Sequence, residues 1–564
     1  MVDSIILDYF QLQRDYAAKY GAKTVVLIQV GVFFEVYALR SHTGSYVYGP
    51  MTLFTETCNL NPADKKMTFG GLKRVAEYPP LELHLPGKPV VDVDAWYRTV
   101  PESPVIMAGI RDYQLDKYLQ RLTEHGCTAV VYAQVKEGTK YKRIFQGVYS
   151  PGTYLSYDLD AAGSTSAALT NNVMCVWLET IRSGVAKSLV SEDTTMVSGV
   201  SVVDILTGKS SIFEYQTPFD LNHPPTFDEL ERCMATYAPS ELILIHPFGV
   251  GDSAGEGTPQ VKAILQFMGV FEKCTVHVVA ADASVEVQRC TQQTYLNHQL
   301  ATFFGPDVFH TCAEFHTNIL ATQSFCYLLH FVQEHNPDLV RQIALPTLTN
   351  TSDRVVLANH TLRQLNILDD PSNPDSKMAG HLSSVAAFVN RAVTAMGRRL
   401  LHHQLTHPTS DAAWLEQEYA RIDWAMHTLD PRVSAEIRRR LGSVRDLDKM
   451  GRQLVSRRVY PSTLFYLHQS LSTARDILRT LETETDPDLD PNPPPNLPTE
   501  NSPVPSVPSV PSVPSVPSVP SVPSVPSVPS VPSVPSVPSV PSVPSVPSVP
   551  SVPSVPSVPS VPSV

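Results

Sequence analysis

The chain lacks any apolar run of the roughly 18 residues that a membrane-crossing helix needs. Its opening, Met1-Val2-Asp3-Ser4, has neither the basic flank of a secretory signal nor the Arg-rich, acid-poor make-up of a transit peptide. Eight cysteines are scattered at 58, 127, 175, 233, 274, 290, 312 and 326 with no Cys-x-x-Cys pair. That pattern excludes a disulfide frame and a zinc site, and fits buried thiols in a reducing compartment. Positive charge is in deficit too: 43 Lys and Arg against 55 Asp and Glu leave a net charge of −12. An acidic total predicts weak non-specific affinity for nucleic acid, although local basic surface matters more than the sum. Finally, no Gly-x-x-x-x-Gly-Lys-Ser/Thr loop occurs in the 564 residues. Without its backbone amides and lysine there is nothing to hold β- and γ-phosphates, so no ATP binding or hydrolysis is expected of this chain.

What is present begins with residues 24–40. Val25, Val26, Leu27, Ile28 and Val30 form an apolar, β-branched run that predicts a buried strand. Gly31 then permits close approach of the backbone to another surface. Phe33, Phe34 and Glu35 follow at the strand end. Two core aromatics beside a surface carboxylate is the ordinary reading of such a trio. The alternative is chemical: an aromatic there can wedge between stacked bases while a carboxylate bonds a base edge.

Residues 1–155 read as one α/β unit, closed by a Ser150-Pro151-Gly152-Thr153 turn and a small-residue linker at Ala161–Ser166. A second unit, 165–310, opens with a strand at Val173–Leu178. Alternating apolar positions on either side of Thr207-Gly208 then predict a hairpin. Helical spacing at Phe227–Tyr237 and a buried strand from Glu241 complete a pattern that suits a ribonuclease-H-like layer fold. Two features there invite chemistry. Gly208-Lys209-Ser210 copies the end of a phosphate loop, but Val203 stands where the leading Gly belongs, and the setting is a turn. Asp204 occupies a place where a metal nuclease would carry a carboxylate; such catalysis needs several converging carboxylates, and a solvated strand Asp is the plainer expectation.

From 311 to 480 the chain turns helical. Leu345–Leu368 approximates helical spacing, and the stretch from His381 is expected to run as a helix until Pro408 stops it. Thr409-Ser410-Asp411 can cap the next helix, and Asp411–Leu429 and Ile437–Tyr460 supply more. His402, His403 and His407 read as surface or capping residues rather than metal ligands, and Arg398-Arg399 as packing and surface charge. Residues 481–564 are different in kind. From Pro505 onward Pro-Ser-Val repeats twenty times, a composition that favours extended polyproline II and cannot bury a core. A disordered spacer is expected, with no Gly-X-Y period and hence no collagen helix.

Several motifs, in order, resemble one family. After the Gly-x-Phe-x-Glu strand come Met107-Ala108-Gly109-Ile110, a helix, Gly126-Cys127-Thr128 with a strand, and Pro151-Gly152-Thr153. Farther on stand Thr394-x-Met-Gly-Arg-Arg-Leu-Leu, His407-Pro408, Arg421-Ile422-Asp423 and Asp446-Leu447-Asp448-Lys449. This order closely resembles DNA mismatch repair MutS proteins over about residues 1–475.

The resemblance implies a multidomain α/β plus α fold. It would comprise a mixed-sheet mismatch reader (1–155), a ribonuclease-H-like connector (165–310) and a partial helical lever (311–480), followed by the disordered Pro-Ser-Val tail (481–564). It implies mismatched-DNA binding in DNA repair, with Phe33 stacking on a mispaired base from the minor groove and Glu35 bonding that base. Val32 and Phe34 stand where most bacterial members carry Asp and Tyr. The implied partners are mismatched duplex DNA and, through the connector, other mismatch-repair proteins. The implied location is a DNA-containing compartment: nucleus, organelle or nucleoid. ATP and Mg belong to the family's ATPase, whose loop this chain lacks, so no cofactor and no enzymatic activity are expected of it. The same absence makes a truncated or incomplete member the expectation, and leaves dimerisation open. A non-catalytic interaction scaffold and a nuclease acting through Asp204 are the rival functions.

Overall fold

The computed structural model describes residues 2–40, 46–65, 82–83, 91–92, 105–138, 140–155, 169–182, 194–220, 224–249, 258–270, 274–282, 284–341, 343–348, 355, 361–368, 382–457 and 459–484. All of them lie in the first of the chain's two units, Met1–Asp486. The Ala161–Ser166 linker and the Pro-Ser-Val repeat fall outside the described residues.

The first layer grows around the predicted strand. Helix α1 (Val2–Tyr20) ends at Gly21, whose φ of +92° turns the chain into β1 (Thr24–Val30). Next come β2 (Phe33–Arg40), β3 (Tyr46–Tyr48), α2 (Met51–Cys58), β4 (Ala63–Asp64), β5 (Val105–Arg111), α3 (Leu115–Glu124), β6 (Thr128–Glu137) and β7 (Lys140–Tyr149). The sheet order is β4-β5-β2-β1-β6-β7, with β3 on β2. β1 is antiparallel to β2 but parallel to β6, because α3 supplies the crossover a parallel pair needs. Tyr9, Phe10, Tyr37, Met51 and Phe54 fill its core.

The second sheet contains β8 (Asn172–Arg182), β9 (Thr194–Asp204) and β10 (Ser210–Pro218). After α4 (Asp228–Tyr237) come β11 (Glu241–His246), α5 (Pro259–Phe267) and β12 (Thr275–Ala280). The predicted hairpin is β9–β10, with Val203 opposite Ser210. Helices cover both faces, giving two cores. One gathers α4 and α5, and the other gathers α6 (Val285–Cys290), α7 (Gln293–Phe304) and α8 (Ile319–His335). α8 lies so close to β9 that a Cβ on Gly199 would sit 2.3 Å from the Leu320 backbone. Glu214 receives the Leu320 and Ala321 amides at 2.7 and 3.1 Å, satisfying the open start of that helix. β13 (Thr347–Leu348) extends the sheet at the β10 edge, making the order β12-β11-β8-β9-β10-β13. The second layer therefore runs past 310, because its buried faces need α8 as a cover.

Beyond it the helices are shorter than their periodicity predicts. Where a helix was expected across Leu345–Leu368 there is β13 and then a single turn at Thr361–Gln364, with 349–354 and 356–360 outside the described residues. The stretch ending at Pro408 is two helices, α9 (Val385–Val389) and α10 (Ala395–Thr406). Asn390 leaves helical geometry, and Thr394 caps the restart by accepting the Gly397 amide at 3.1 Å. Asp411 caps α11 (Ala412–His427) as its position predicted, accepting from Ala413 and Trp414. α12 (Pro431–Leu441) and α13 (Leu447–Val455) replace the one segment expected from Ile437 to Tyr460, with Asp446 capping the second. α14 (Pro461–Glu484) follows.

Candidate nucleic-acid interface

Five strand ends and turns meet along one edge of the first sheet. β1 runs up to Val30, Gly31 turns the chain at φ +64°, and β2 descends from Phe33. β5 rises beside β2 and ends at Arg111, opposite Phe33. Strand alternation separates the two aromatics. Phe34 goes into the core, whereas Phe33 stays 39% exposed with Val32 beside it. The Arg111 guanidinium lies 5.7 Å from the Phe33 ring centroid, which braces the ring without covering it. Tyr113, 74% exposed, stands just beyond Arg111.

Glu35 shares the face of Phe33, two residues along, but is only 5% exposed. Its carboxylate takes the Lys65 ammonium at 2.7 Å and the Tyr37 hydroxyl. Burying a charge is tolerable only with such partners. Tyr37 is pushed up strongly, first by burial and then by its bond to Glu35, so it serves as donor. Sequence reasoning missed Lys65: it lies 30 residues away, just past β4, and no local pattern links the two.

On the other flank, β6 outruns β1. Gln134 is level with the wedge turn, and its Oε1 accepts the Gly31 amide at 3.0 Å. Gln29 returns the bond, its Oε1 accepting the Gln134 amide at 2.8 Å. Beyond this reciprocal pair the β6–β7 hairpin continues past the edge and turns at Gly138. Lys136 faces Tyr141 across that hairpin, and both are exposed.

The remaining predicted residues lie elsewhere. Asp204 is not solvated but 8% exposed, and its carboxylate accepts from the Asn171 and Leu206 amides and the Thr207 hydroxyl. Burial raises its pKa, against the pull of those bonds. Asp204 thus fixes the hairpin turn, and no group of three or more His, Cys, Asp or Glu able to hold a metal occurs among the described residues. Gly208-Lys209-Ser210 joins two antiparallel strands. A phosphate cradle needs a strand-to-helix turn, so these residues do not fit a nucleotide. His402 is pushed down by burial, while His403 and His407 stack at 4.4 Å near the end of α10. Arg399 forks onto Asp446 at 2.7 Å and reaches Asp448 at 2.8 Å, an ion-pair network rather than loose surface charge. All eight cysteines are free, seven of them buried.

Two long-range joints were invisible in the sequence. Fully buried Glu241, at the start of β11, accepts from Ser150 Oγ at 2.5 Å and the Gly152 amide at 3.1 Å. Its other oxygen meets His277 Nε2 at 2.5 Å. The Ser-Pro-Gly-Thr turn is therefore stapled to the second sheet. Burial alone would raise Glu241, but its bonded partner His277, with the Ser150 hydroxyl, brings it below the usual carboxylate range. The second joint is Arg452 on α13. It is 4% exposed and donates to the carbonyls of Ile205, Leu339 and Arg341.

Sequence comparison agrees with the motif order. Residues 360–500 match the family model described as MutS domain III. A putative DNA mismatch repair protein, mutS homolog L359 of Acanthamoeba polyphaga mimivirus, is 26% identical over 477 residues, which is 81% of this chain and 38% of that protein. A mitochondrial DNA mismatch repair protein mutS homolog of Sarcophyton glaucum is 21% identical over 80% of this chain and 43% of its own length. DNA mismatch repair protein MutS of Caldanaerobacter subterraneus subsp. tengcongensis is 21% identical over 67% and 38%. The chain thus spans 38–43% of the length of these three relatives. Among the described residues no helix is long and apolar enough to cross a membrane. Residues 360–500 thus match MutS domain III, and along most of its length the chain is similar to MutS-type DNA mismatch repair proteins.

Proposed function

We propose that the Phe33 edge reads mispaired bases in duplex DNA. The observation that carries this is the split between neighbours: Phe34 is spent on the core, and Phe33 is left exposed at a turn with Glu35 behind it on the same face. A mispair is the step at which unstacking costs least, so an aromatic wedge enters there first. Glu35 then offers an acceptor to the displaced base edge. Lys65 gives this carboxylate a counter-charge, which lowers the repulsion a buried anion would feel beside phosphates. Tyr37 and Lys65 both bond Oε2, so Oε1 is the oxygen offered to the base.

In this reading residues 1–155 are the reader, the second sheet with its α8 cover and β13 the connector, and the helices that follow up to 480 a partial lever, and the work of this chain is recognition without bond chemistry. ATP and Mg act elsewhere in the family's machinery. Mismatched duplex DNA is the partner, met in whichever compartment holds that DNA, with other repair proteins reached through the connector.

The test is fluorescence anisotropy of the chain with G·T-mismatched and fully paired duplexes at low salt. Wild type is expected to prefer the mismatch, and Phe33→Ala to lose the preference. Equal discrimination by wild type and Phe33→Ala would overturn the proposal.

A further inference from the structure

We infer that the β6–β7 hairpin is a second DNA contact, gripping the phosphate backbone beside the wedge through the face that carries Lys136 and Tyr141. The inference rests on the wedge reading only for where the duplex sits.

Register fixes the face. Phe33 lies opposite Val30 and Arg111, so these three share one side of the sheet. Ile28, on that same side, is level with Tyr132 of β6, and Gln134 and Lys136 follow it at intervals of two. Across the hairpin, Tyr132 opposes Phe145 with ring centroids 5.7 Å apart, Gln134 opposes Arg143, and Lys136 opposes Tyr141. Lys136 and Tyr141 therefore face the same way as Phe33. Lys142 and Glu137 belong to the opposite side.

Position follows from strand geometry. β6 is two strands from β2, about 10 Å to the side, and Lys136 lies two residues beyond the level of the wedge turn, about 7 Å above it. A duplex seated on Phe33 presents a minor groove about 6 Å wide with phosphates on both lips, so the hairpin stands against one lip. Charge completes the match. Lys136 is exposed, and neither it nor Lys142 has an acidic partner among the described residues. Tyr141 is 56% exposed and can donate its hydroxyl to a phosphate oxygen. Asp112, an exposed carboxylate at this edge, accepts the Tyr113 amide at 2.8 Å and is outnumbered by Arg111, Lys136 and Arg143 on the Phe33 face. The edge is thus locally basic in a chain whose total is acidic. The Gln29–Gln134 pair keeps hairpin and wedge in fixed relation, so both can engage one duplex without rearrangement.

The experiment is a salt titration of the full chain with a labelled paired duplex and the same duplex carrying one G·T mispair. Lys136→Gln is expected to weaken both complexes by the same factor and to make the plot of log affinity against log salt shallower by about 0.9, one phosphate contact. Tyr141→Phe is expected to weaken both with the slope kept. Lys142→Gln, on the opposite face, is expected to bind as wild type. The inference is overturned if Lys136→Gln leaves affinity and slope unchanged, if Lys142→Gln has the same effect as Lys136→Gln, or if wild type binds neither duplex. A shallower slope in Lys136→Gln with no mismatch preference in wild type would uphold the hairpin contact and sink the wedge reading. Mismatch preference with Lys136→Gln behaving as wild type would do the reverse.

Discussion

Glu35 and Glu241 are both buried carboxylates with a basic partner and a hydroxyl donor, yet they sit in opposite kinds of place. Glu241 is sealed where the Ser150–Thr153 turn meets the second sheet, and each of its bonds joins segments of the same fold. Glu35 lies one strand step behind an exposed edge, and its Lys65 partner keeps 19% of its side chain exposed. The first carboxylate has nothing to meet but protein. The second is one small displacement from whatever docks on Phe33. Burial and pairing alone therefore do not separate a structural carboxylate from a reading one; what lies on the open side does.

Removing each carboxylate should break the symmetry most sharply. Glu241→Ala strands Ser150, the Gly152 amide and His277 without their acceptor, and should cost about 3–5 kcal/mol in urea unfolding. Glu35→Gln should cost about 1 kcal/mol, because Tyr37 can still donate to the amide oxygen and Lys65 can turn to water. Its effect should appear in mismatch preference. Equal midpoint shifts for the two would show that Glu35 is structural as well.

A pH series sharpens the same contrast. Burial keeps the His335 ring neutral, its pKa lowered from 6.5. The unfolded chain takes up a proton there that the fold does not, so stability should fall as pH drops below about 6.5. Glu241, held below 4.5, adds a second loss as pH falls through that value and the unfolded carboxylate protonates first. His335→Phe should remove the first descent and leave the second; an unchanged profile would exclude His335 as its source. Phe33→Leu should be the mildest change, within about 0.5 kcal/mol of wild type because the ring is exposed. A larger loss would mean the ring packs more than its exposure suggests.

What was legible in the sequence was local. The β-branched run with Gly31, the alternation about Thr207-Gly208 and the cap at Asp411 each depend on residues within one turn or strand, and each stands as expected. Phe33 could be told from Phe34 only by knowing which side of β2 meets the core. Lys65, Ser150 with Glu241, and Arg452 with Leu339 were illegible because their partners are 30 to 113 residues distant. Periodicity also overstated the helices of 381–460, where Thr394 and Asp446 cap restarts that an apolar count passes over.

Arg452 has a mechanical consequence. One side chain on α13 grasps carbonyls from the β9–β10 turn and from the segment after α8, and α14 packs on α13 directly behind it. A Cβ on Gly208 would come within 3.0 Å of the Arg452 side chain, so the seat leaves little play. The 24 residues of α14 make an arm about 36 Å long. A tilt of about 5° at the seat would swing the far end of that arm by about 3 Å. The joint is thus a fulcrum that passes motions of the second sheet to α13 and α14, while Arg440 of α12 steadies the far part of the arm through Thr480 at 3.3 Å.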